Sequence, residues 1–175
     1  MSSSHWKGSV VVAAPAAEVY AYLADFARHP EWDQTTQKVE LSEAGDATGV
    51  GAKWKAYEAL DSLQSDRERK PVFDLAGKVG LTVRQVKELT PDRRVAWHGY
   101  PIPRMGTTGD YAFSIEATPD GTAVTFEVSL NTPPVVDAIA KKVFSSMEGK
   151  QHEQWTQSLE RLKARCEHAT EPVAV

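Results

Sequence analysis

Three polar residues at predicted strand positions carry side chains that could serve a reaction: His98, Arg84 and Tyr57. Histidine exchanges protons near neutral pH, but strand alternation around Trp97 predicts that His98 faces solvent unless a bulge turns it inward. Arginine can bind a carboxylate or phenolate through two parallel hydrogen bonds, although a surface position is favoured for Arg84. Tyr57, on the face opposite Trp54, could contribute a hydroxyl. These are candidates only, and the catalytic residues remain unassigned.

A polar side chain also interrupts the apolar stripe of the C-terminal segment. Gln151 lies between Met147 and Trp155 at steps of four residues, which places the three on one helix face. A buried amide needs hydrogen-bond partners. Gln151 therefore either meets backbone or water, or binds a polar atom of a ligand, unless a helix kink turns it outward.

Metal, nucleotide and nucleic-acid chemistry are not expected. The five histidines lack ligand spacing, Cys166 is the single cysteine, and no glycine-rich phosphate loop is present. The formal net charge is −4 and the pI is about 5.7, whereas nucleic-acid binders usually present a basic face. The sequence therefore predicts no cofactor, no metal and no nucleic-acid partner.

The length and composition fit one globular domain. The chain has 175 residues, of which 41% are hydrophobic and 25% charged. We expect a single domain over residues 1–168 and a flexible tail over residues 169–175. No run reaches the length of a signal core or a membrane span, so a cytoplasmic protein, monomeric or homodimeric, is expected.

The element that would organise the fold is a long helix predicted over residues 133–167. Two prolines stand at its start, where helix amides have no internal partner. Apolar residues then recur at helical spacing, and Gly149 marks a plausible kink. The apolar positions are Val136, Ile139, Val143, Met147, Trp155, Leu159 and Leu162.

The chain before this helix reads mainly as strands. A first β-branched run is followed by two short helices, the second with Pro30 in its first turn, and then by about six further strands. Residues 122–130 alternate most clearly, with Val124, Phe126, Val128 and Leu130 on one face. An α+β domain with one dry sheet face is therefore predicted.

This order resembles the helix-grip fold of the START-like superfamily, in particular the bacterial polyketide cyclase/dehydrase and lipid-transport family. The motifs that carry the resemblance are residues 9–26 (SVVVAAPAAEVYAYLADF), 29–32 (HPEW), 49–52 (GVGA), 90–97 (TPDRRVAW) and 121–122 (GT). The likeness extends over residues 6–167. It implies a curved antiparallel sheet of about seven strands around the long C-terminal helix, with an elongated apolar cavity between them.

If the sheet grips the helix as the resemblance implies, some of its aromatic residues must line that cavity. Taken singly, each is expected to be core, since any sheet packed on a helix needs one. Among them Trp97, Tyr111 and Phe113 are favoured for the cavity. The resemblance implies that Trp32, at the corner of the two short helices, is either part of the cavity mouth or a packing anchor. The full set of predicted ligand-binding residues is Trp32, Trp54, Trp97, Tyr111, Phe113, Phe126, Val143, Met147 and Gln151.

The resemblance leaves three functions open. The first is binding or transport of a hydrophobic or aromatic small molecule, such as a lipid or a polyketide-like compound. The second is a polyketide cyclase or aromatase that folds its substrate and moves a proton. The third is a partner-binding module in a stress response. Polar side chains that converge in the cavity would favour the enzyme, and a uniformly apolar cavity would favour the carrier.

Overall fold

The computed structural model describes residues 2–58, 81–102, 106–143 and 147–169. Within these ranges, seven strands form one antiparallel sheet in the order β1-β7-β6-β5-β4-β3-β2. The strands are β1 (Ser2–Val12), β2 (Thr36–Glu43), β3 (Lys53–Glu58), β4 (Leu81–Thr90), β5 (Arg94–Ile102), β6 (Thr107–Thr118) and β7 (Gly121–Thr132). The helices are α1 (Ala16–Ala24), a 3-10 turn (Phe26–Arg28), α2 (His29–Trp32), α3 (Pro134–Val143) and α4 (Met147–Ala169).

Strand β7 shows how the sequence builds the sheet. Its burial alternates residue by residue, with Val124, Phe126, Val128 and Leu130 on the inner face, as the sequence pattern predicts. β1 pairs with β7 over its full length, from Ser2↔Thr132 to Val12↔Thr122. The first strand of the chain is thereby joined to the last.

The two short helices between β1 and β2 form a corner that covers the inner face of the sheet. Pro15 caps α1 in an extended conformation, and Asp25 Oδ1 accepts a hydrogen bond from the Ala27 amide at the start of the 3-10 turn. Pro30 lies in the first turn of α2, as predicted. α2 ends at Trp32, which is buried, so the corner reaches into the core.

The predicted C-terminal helix is present as α3 and α4, and residues 144–146 between them lie outside the described part of the chain. Gly149 falls inside α4, near its start. The buried face of α4 changes character along its length: Gln154 and Ser158 come first, then Leu159, Leu162 and Cys166. α4 therefore presents polar groups to one end of the sheet and an apolar stripe to the other.

α4 also packs against β1. The Ala13 amide, just after β1, donates to Glu167 Oε1 at 2.9 Å, and the Trp6 and Trp155 rings lie 5.4 Å apart. The predicted α+β helix-grip class is confirmed, with its sheet of seven strands, its long C-terminal helix and its two short helices after β1. None of the helices in the described ranges has the length and apolar character needed to cross a membrane. Apart from Ala169, the predicted tail lies outside the described residues.

Candidate functional site

A cavity lies between the inner face of the sheet and the polar half of α4. Its volume is about 80 Å³, which is several times what one water molecule needs. Its aromatic lining comes from Trp32, Trp97, Tyr100, Tyr111, Phe126 and Trp155. Its polar lining includes Asp33, Thr35, Glu58, Thr82, Arg84, Gln151, Gln154 and Ser158.

Three rings on neighbouring strands lie nearly parallel and stack on one another along the inner face of the sheet. The Trp97 and Tyr111 rings are 5.3 Å apart and 4° from parallel, and Phe126 lies 6.1 Å from Trp97 at 22°. Strand pairing places Trp97 opposite Tyr111, and a Cβ at Gly109 would come within 2.9 Å of the Tyr111 hydroxyl. The glycine thus makes room for the outer edge of the tyrosine ring. These stacked rings give the cavity an aromatic side.

Trp32 brings a hydrogen-bond donor with no acceptor. Its side chain is 2% exposed, and the indole Nε1 has no hydrogen-bond partner among the described residues. The ring packs edge-on against Phe113 at 5.3 Å and Phe126 at 6.2 Å. A buried donor left unpaired costs about 1–3 kcal/mol, so a ligand oxygen at this position would remove a penalty.

Arg84 is the centre of the polar wall. Its guanidinium Nη1 donates to His29 Nδ1 at 3.0 Å, and Nη2 donates to Asp33 Oδ2 at 2.9 Å and to Thr36 Oγ1 at 2.5 Å. Glu58 Oε1 lies 3.4 Å from the same Nη2. These contacts hold Arg84, which is 5% exposed, rigidly behind the cavity.

The protonation states follow from burial and from this guanidinium. Burial and the charge of Arg84 lower the pKa of His29 to about 3, so the imidazole is neutral. Burial opposes ionisation of Asp33, but Arg84 and hydrogen bonds from Thr36 and Thr35 outweigh it and lower the pKa of that carboxyl. Burial raises the pKa of Glu58 in spite of Arg84. Burial also raises the pKa of Tyr111, which keeps its hydroxyl protonated.

The neutral state of His29 gives a testable pH dependence. The folded pKa of His29 lies below its ordinary value of about 6.5. Neutral His29 therefore stabilises the fold fully above about pH 6.5, and this stabilisation is lost as the pH falls towards about 3. We expect nitrogen NMR at about pH 5 to show a neutral imidazole in the folded protein and a protonated one in denaturant. The Nε2–H tautomer should be present, since Nε2 donates to Leu23 O at 3.1 Å. A protonated folded-state ring would contradict the geometry.

Five of the nine predicted ligand-binding residues line the cavity: Trp32, Trp97, Tyr111, Phe126 and Gln151. Trp54 and Phe113 do not. Trp54 stacks on Phe26 at 5.9 Å, and Phe113 lies fully buried against Phe126 at 4.3 Å. The side chains of Val143 and Met147 lie outside the described part of the chain.

The three catalytic candidates separate by strand face. The favoured surface position of Arg84 is corrected, because Arg84 is buried beside the cavity. His98 and Tyr57 lie where strand alternation predicts, His98 on the face opposite Trp97 and Tyr57 on the face opposite Trp54. They lie on the outer face, where His98 Nδ1 is 2.6 Å from Asp110 Oδ1 and the Tyr57 hydroxyl donates to Glu40 Oε2 at 2.8 Å. Strand alternation therefore keeps both away from the cavity.

The sequence interpretation missed several residues of the lining. Gln154, Trp155 and Ser158 follow Gln151 at helical spacing, so the position of Gln151 already indicated them. Glu58 shares strand parity with Trp54, which placed it on the inner face. His29 lies behind the lining and carried no signal of its own in the sequence.

Solved structures of known proteins share this fold. The aromatase/cyclase Zhui from Streptomyces sp. R1128 superposes with a TM-score of 0.70 at 17% identity, covering 99% of each chain. A START superfamily protein from Mycobacterium smegmatis gives 0.61 at 18% identity, covering 95% of this chain and 99% of its own. The di-domain ARO/CYC StfQ of the steffimycin biosynthetic pathway gives 0.66 at 12% identity, covering 95% of this chain and 51% of its own.

At these identities the structures show the fold alone. A search of curated proteins gave no match. The sequence model of one family, described as polyketide cyclase/dehydrase and lipid transport, matches residues 5–167. That range includes most of the first strand, the corner helices, the cavity wall and most of α4. The chain therefore belongs to the polyketide cyclase/dehydrase and lipid-transport family.

Proposed function

We propose that the chain binds a flat aromatic molecule bearing oxygen substituents in the cavity between the sheet and α4. One observation carries the proposal: the near-parallel rings of Trp97, Tyr111 and Phe126 stand beside a polar wall centred on Arg84. Parallel rings favour a planar ligand through offset stacking. A few fixed polar groups in an otherwise aromatic pocket orient such a ligand.

The polar groups distinguish this cavity from a channel for an acyl chain. Arg84 and Glu58 reach it from the sheet, and Gln151 and Ser158 reach it from α4 on the opposite side. A long apolar chain would leave the Gln151 amide and Glu58 Oε2, which have no hydrogen bond to another described residue, buried without partners, and this costs free energy for each group. A compact ring with carbonyl or hydroxyl groups would pair with them. The described walls therefore favour an oxygenated aromatic compound over a fatty acid.

A second candidate function is ring closure of the bound molecule, as in an aromatase/cyclase. The convergence of Arg84, Asp33 and Glu58 on one side of the cavity favours it over a passive carrier. Holding a flexible substrate in a folded conformation supplies proximity, and effective molarity can be worth about 7–11 kcal/mol. A positioned acid would add proton transfer. Incubation with linear poly-β-ketone substrates, followed by mass spectrometry for loss of water, tests this candidate.

The binding proposal is tested by native mass spectrometry of the purified protein and by calorimetric titration with 1-acetonaphthone, an uncharged bicyclic ketone. We expect a co-purifying aromatic compound, or saturable binding of the ketone. The control ligand is hexadecanoate, which should bind more weakly. A protein that carries no small molecule and binds neither probe would contradict the proposal and bring the partner-binding alternative forward.

A matched pair of variants on α4 locates the site. Gln151 lines the cavity, whereas Gln157 is exposed on the same helix and bonds to Glu153 at 3.2 Å. Gln151→Trp should fill the cavity and weaken binding of 1-acetonaphthone by at least about tenfold. Gln157→Trp should leave the affinity unchanged. Equal effects of the two substitutions would place the ligand elsewhere.

A further inference from the structure

The two carboxyl oxygens of Glu58 have different surroundings. Oε1 accepts a hydrogen bond from Thr82 Oγ1 at 2.9 Å and lies 3.4 Å from Arg84 Nη2. Oε2 has no hydrogen bond to any of the described residues. Since Glu58 borders the cavity and its side chain is 22% exposed, Oε2 is the oxygen available to a ligand. Glu58 is thus anchored through one oxygen and free at the other.

Two carboxyl groups, of Glu58 and Asp33, share one guanidinium, of Arg84. Arg84 already pairs with Asp33 at 2.9 Å, the shorter of its two carboxyl contacts. Among the described residues, the other titratable group facing Glu58 is the hydroxyl of Tyr111 on β6, and His29 behind Arg84 is neutral. The residues of α4 that line the cavity, Gln151, Gln154, Trp155 and Ser158, are uncharged.

With both carboxyls ionised, the described residues of this region would carry one uncompensated negative charge, which is costly away from water. Protonation of one carboxyl removes that cost. Asp33 accepts hydrogen bonds from Thr35, Thr36 and Arg84, all of which favour its ionised form. Glu58 has the longer contact with Arg84 and the smaller number of donors. The proton therefore belongs on Glu58, in agreement with the rise in its pKa caused by burial.

We propose that Glu58 acts in ligand binding as a protonated carboxyl, donating a hydrogen bond from Oε2 to an uncharged oxygen acceptor such as a ketone. The inference rests on the proposed function and names the group that sets its specificity. The indole Nε1 of Trp32 is a second donor without an acceptor, and it independently indicates an acceptor-bearing ligand. A carboxylate ligand would instead add a negative charge beside Asp33.

A pH dependence follows from this role. The ligand binds the protonated form of Glu58, so the affinity is highest below the folded pKa of Glu58 and falls as pH rises through it. Above that pKa, the dissociation constant of a one-proton site increases about tenfold per pH unit. Binding in that range takes up a proton from the buffer. The proton uptake can be measured on the unmodified protein.

The test is calorimetric titration with 1-acetonaphthone between about pH 5 and about pH 9, in buffers of different ionisation enthalpy. The wild-type protein should take up a proton on binding and lose affinity at high pH. Glu58→Gln keeps a donor but cannot titrate, so its affinity should be independent of pH and its proton uptake absent. The control Glu40→Gln changes a carboxyl on the outer face and should behave as wild type. The isosteric carboxylate 1-naphthoate should bind wild type at least about tenfold more weakly than the ketone.

Each outcome decides the inference. Wild-type affinity for the ketone that does not vary with pH, or proton uptake that persists in Glu58→Gln, overturns the role of Glu58 and leaves the proposed function intact. Tighter binding of 1-naphthoate than of the ketone overturns it as well. If the wild-type protein binds neither probe and carries no small molecule, the proposed function fails and this inference fails with it.

Discussion

Replacing Arg84 with methionine lowers the free energy of unfolding by about 3–5 kcal/mol at pH 7. The substitution removes the only guanidinium that contacts Asp33 among the described residues and leaves that carboxylate buried without a counter-charge. It also deprives His29 Nδ1 of its donor. Urea-induced unfolding followed by tryptophan fluorescence measures the loss, with an unchanged m value as the sign that the two-state transition is retained.

The loss should shrink in acid. In the wild type the pKa of Asp33 is lowered, so its stabilisation is present above the unfolded pKa and is lost as pH falls through the folded pKa. In the variant, the Asp33 carboxylate is buried without the positive charge of Arg84. Protonation removes this unpaired charge, so the free energy of unfolding rises as pH falls. As pH falls, the wild type loses stability and the variant gains it, so the difference between their free energies of unfolding decreases. The double variant Arg84→Met, Asp33→Asn should regain part of the stability at pH 7.

The matched control is Arg94→Met. Arg94 is 38% exposed, and its Nε lies 3.1 Å from Glu88 Oε2, an ion pair on the surface. Exposed pairs contribute about 0–1 kcal/mol, so this variant should stay close to wild type. A similar loss in both variants would show that arginine packing, and not the buried charge cluster, sets the stability.

Truncation of Phe113 to alanine costs about 3–5 kcal/mol of unfolding free energy, since it opens a void in a well-packed aromatic cluster. Phe113 is fully buried, stacked on Phe126 at 4.3 Å and 13°, and contacted by the edge of Trp32 at 5.3 Å. Phe113→Leu keeps most of the volume and should cost less than about 1.5 kcal/mol. Equilibrium unfolding in urea compares the three proteins.

Ligand titration of the same variants separates packing from binding. Phe113 does not border the cavity, so the folded Phe113→Leu protein should bind 1-acetonaphthone with nearly the affinity of the wild type. A large loss of affinity with little loss of stability would restore Phe113 to the cavity lining, where the sequence placed it.

The sheet and the helices were predictable because their signals are local. In β7, apolar and polar residues alternate without a break, and the pattern determines which face is dry. Prolines mark the start of each short helix and of the C-terminal helix region. Gly149, the predicted kink, lies within α4.

Strand β4 shows why the polar wall was not predictable. Its inner face carries Thr82, Arg84 and Val86, while Leu81 is on the outer parity and 36% exposed. The hydrophobic pattern therefore favours burial of the face with Leu81, whereas the buried face is the one with Arg84. What makes burial of Arg84 tolerable is a set of partners remote in sequence, Asp33 at a separation of 51 and His29 at 55. No local window contains them, and only the folded sheet brings them together.

The pairing of β1 with β7 determines when the cavity can form during synthesis. Most neighbouring strands of the sheet follow one another in the chain, but Thr122 Oγ1 reaches back to Ala14 O across 108 positions. Because β1 is synthesised before β7, the two strands can pair only after β7 has been made. Such pairing between residues distant in sequence slows folding. The Trp6 ring on β1 packs 5.9 Å from Phe126 and 5.4 Å from Trp155. These two cavity residues therefore lack the contact with Trp6 until β1 has paired with β7. The cavity lining is complete only once α4 has been made, because Gln151, Gln154, Trp155 and Ser158 belong to it.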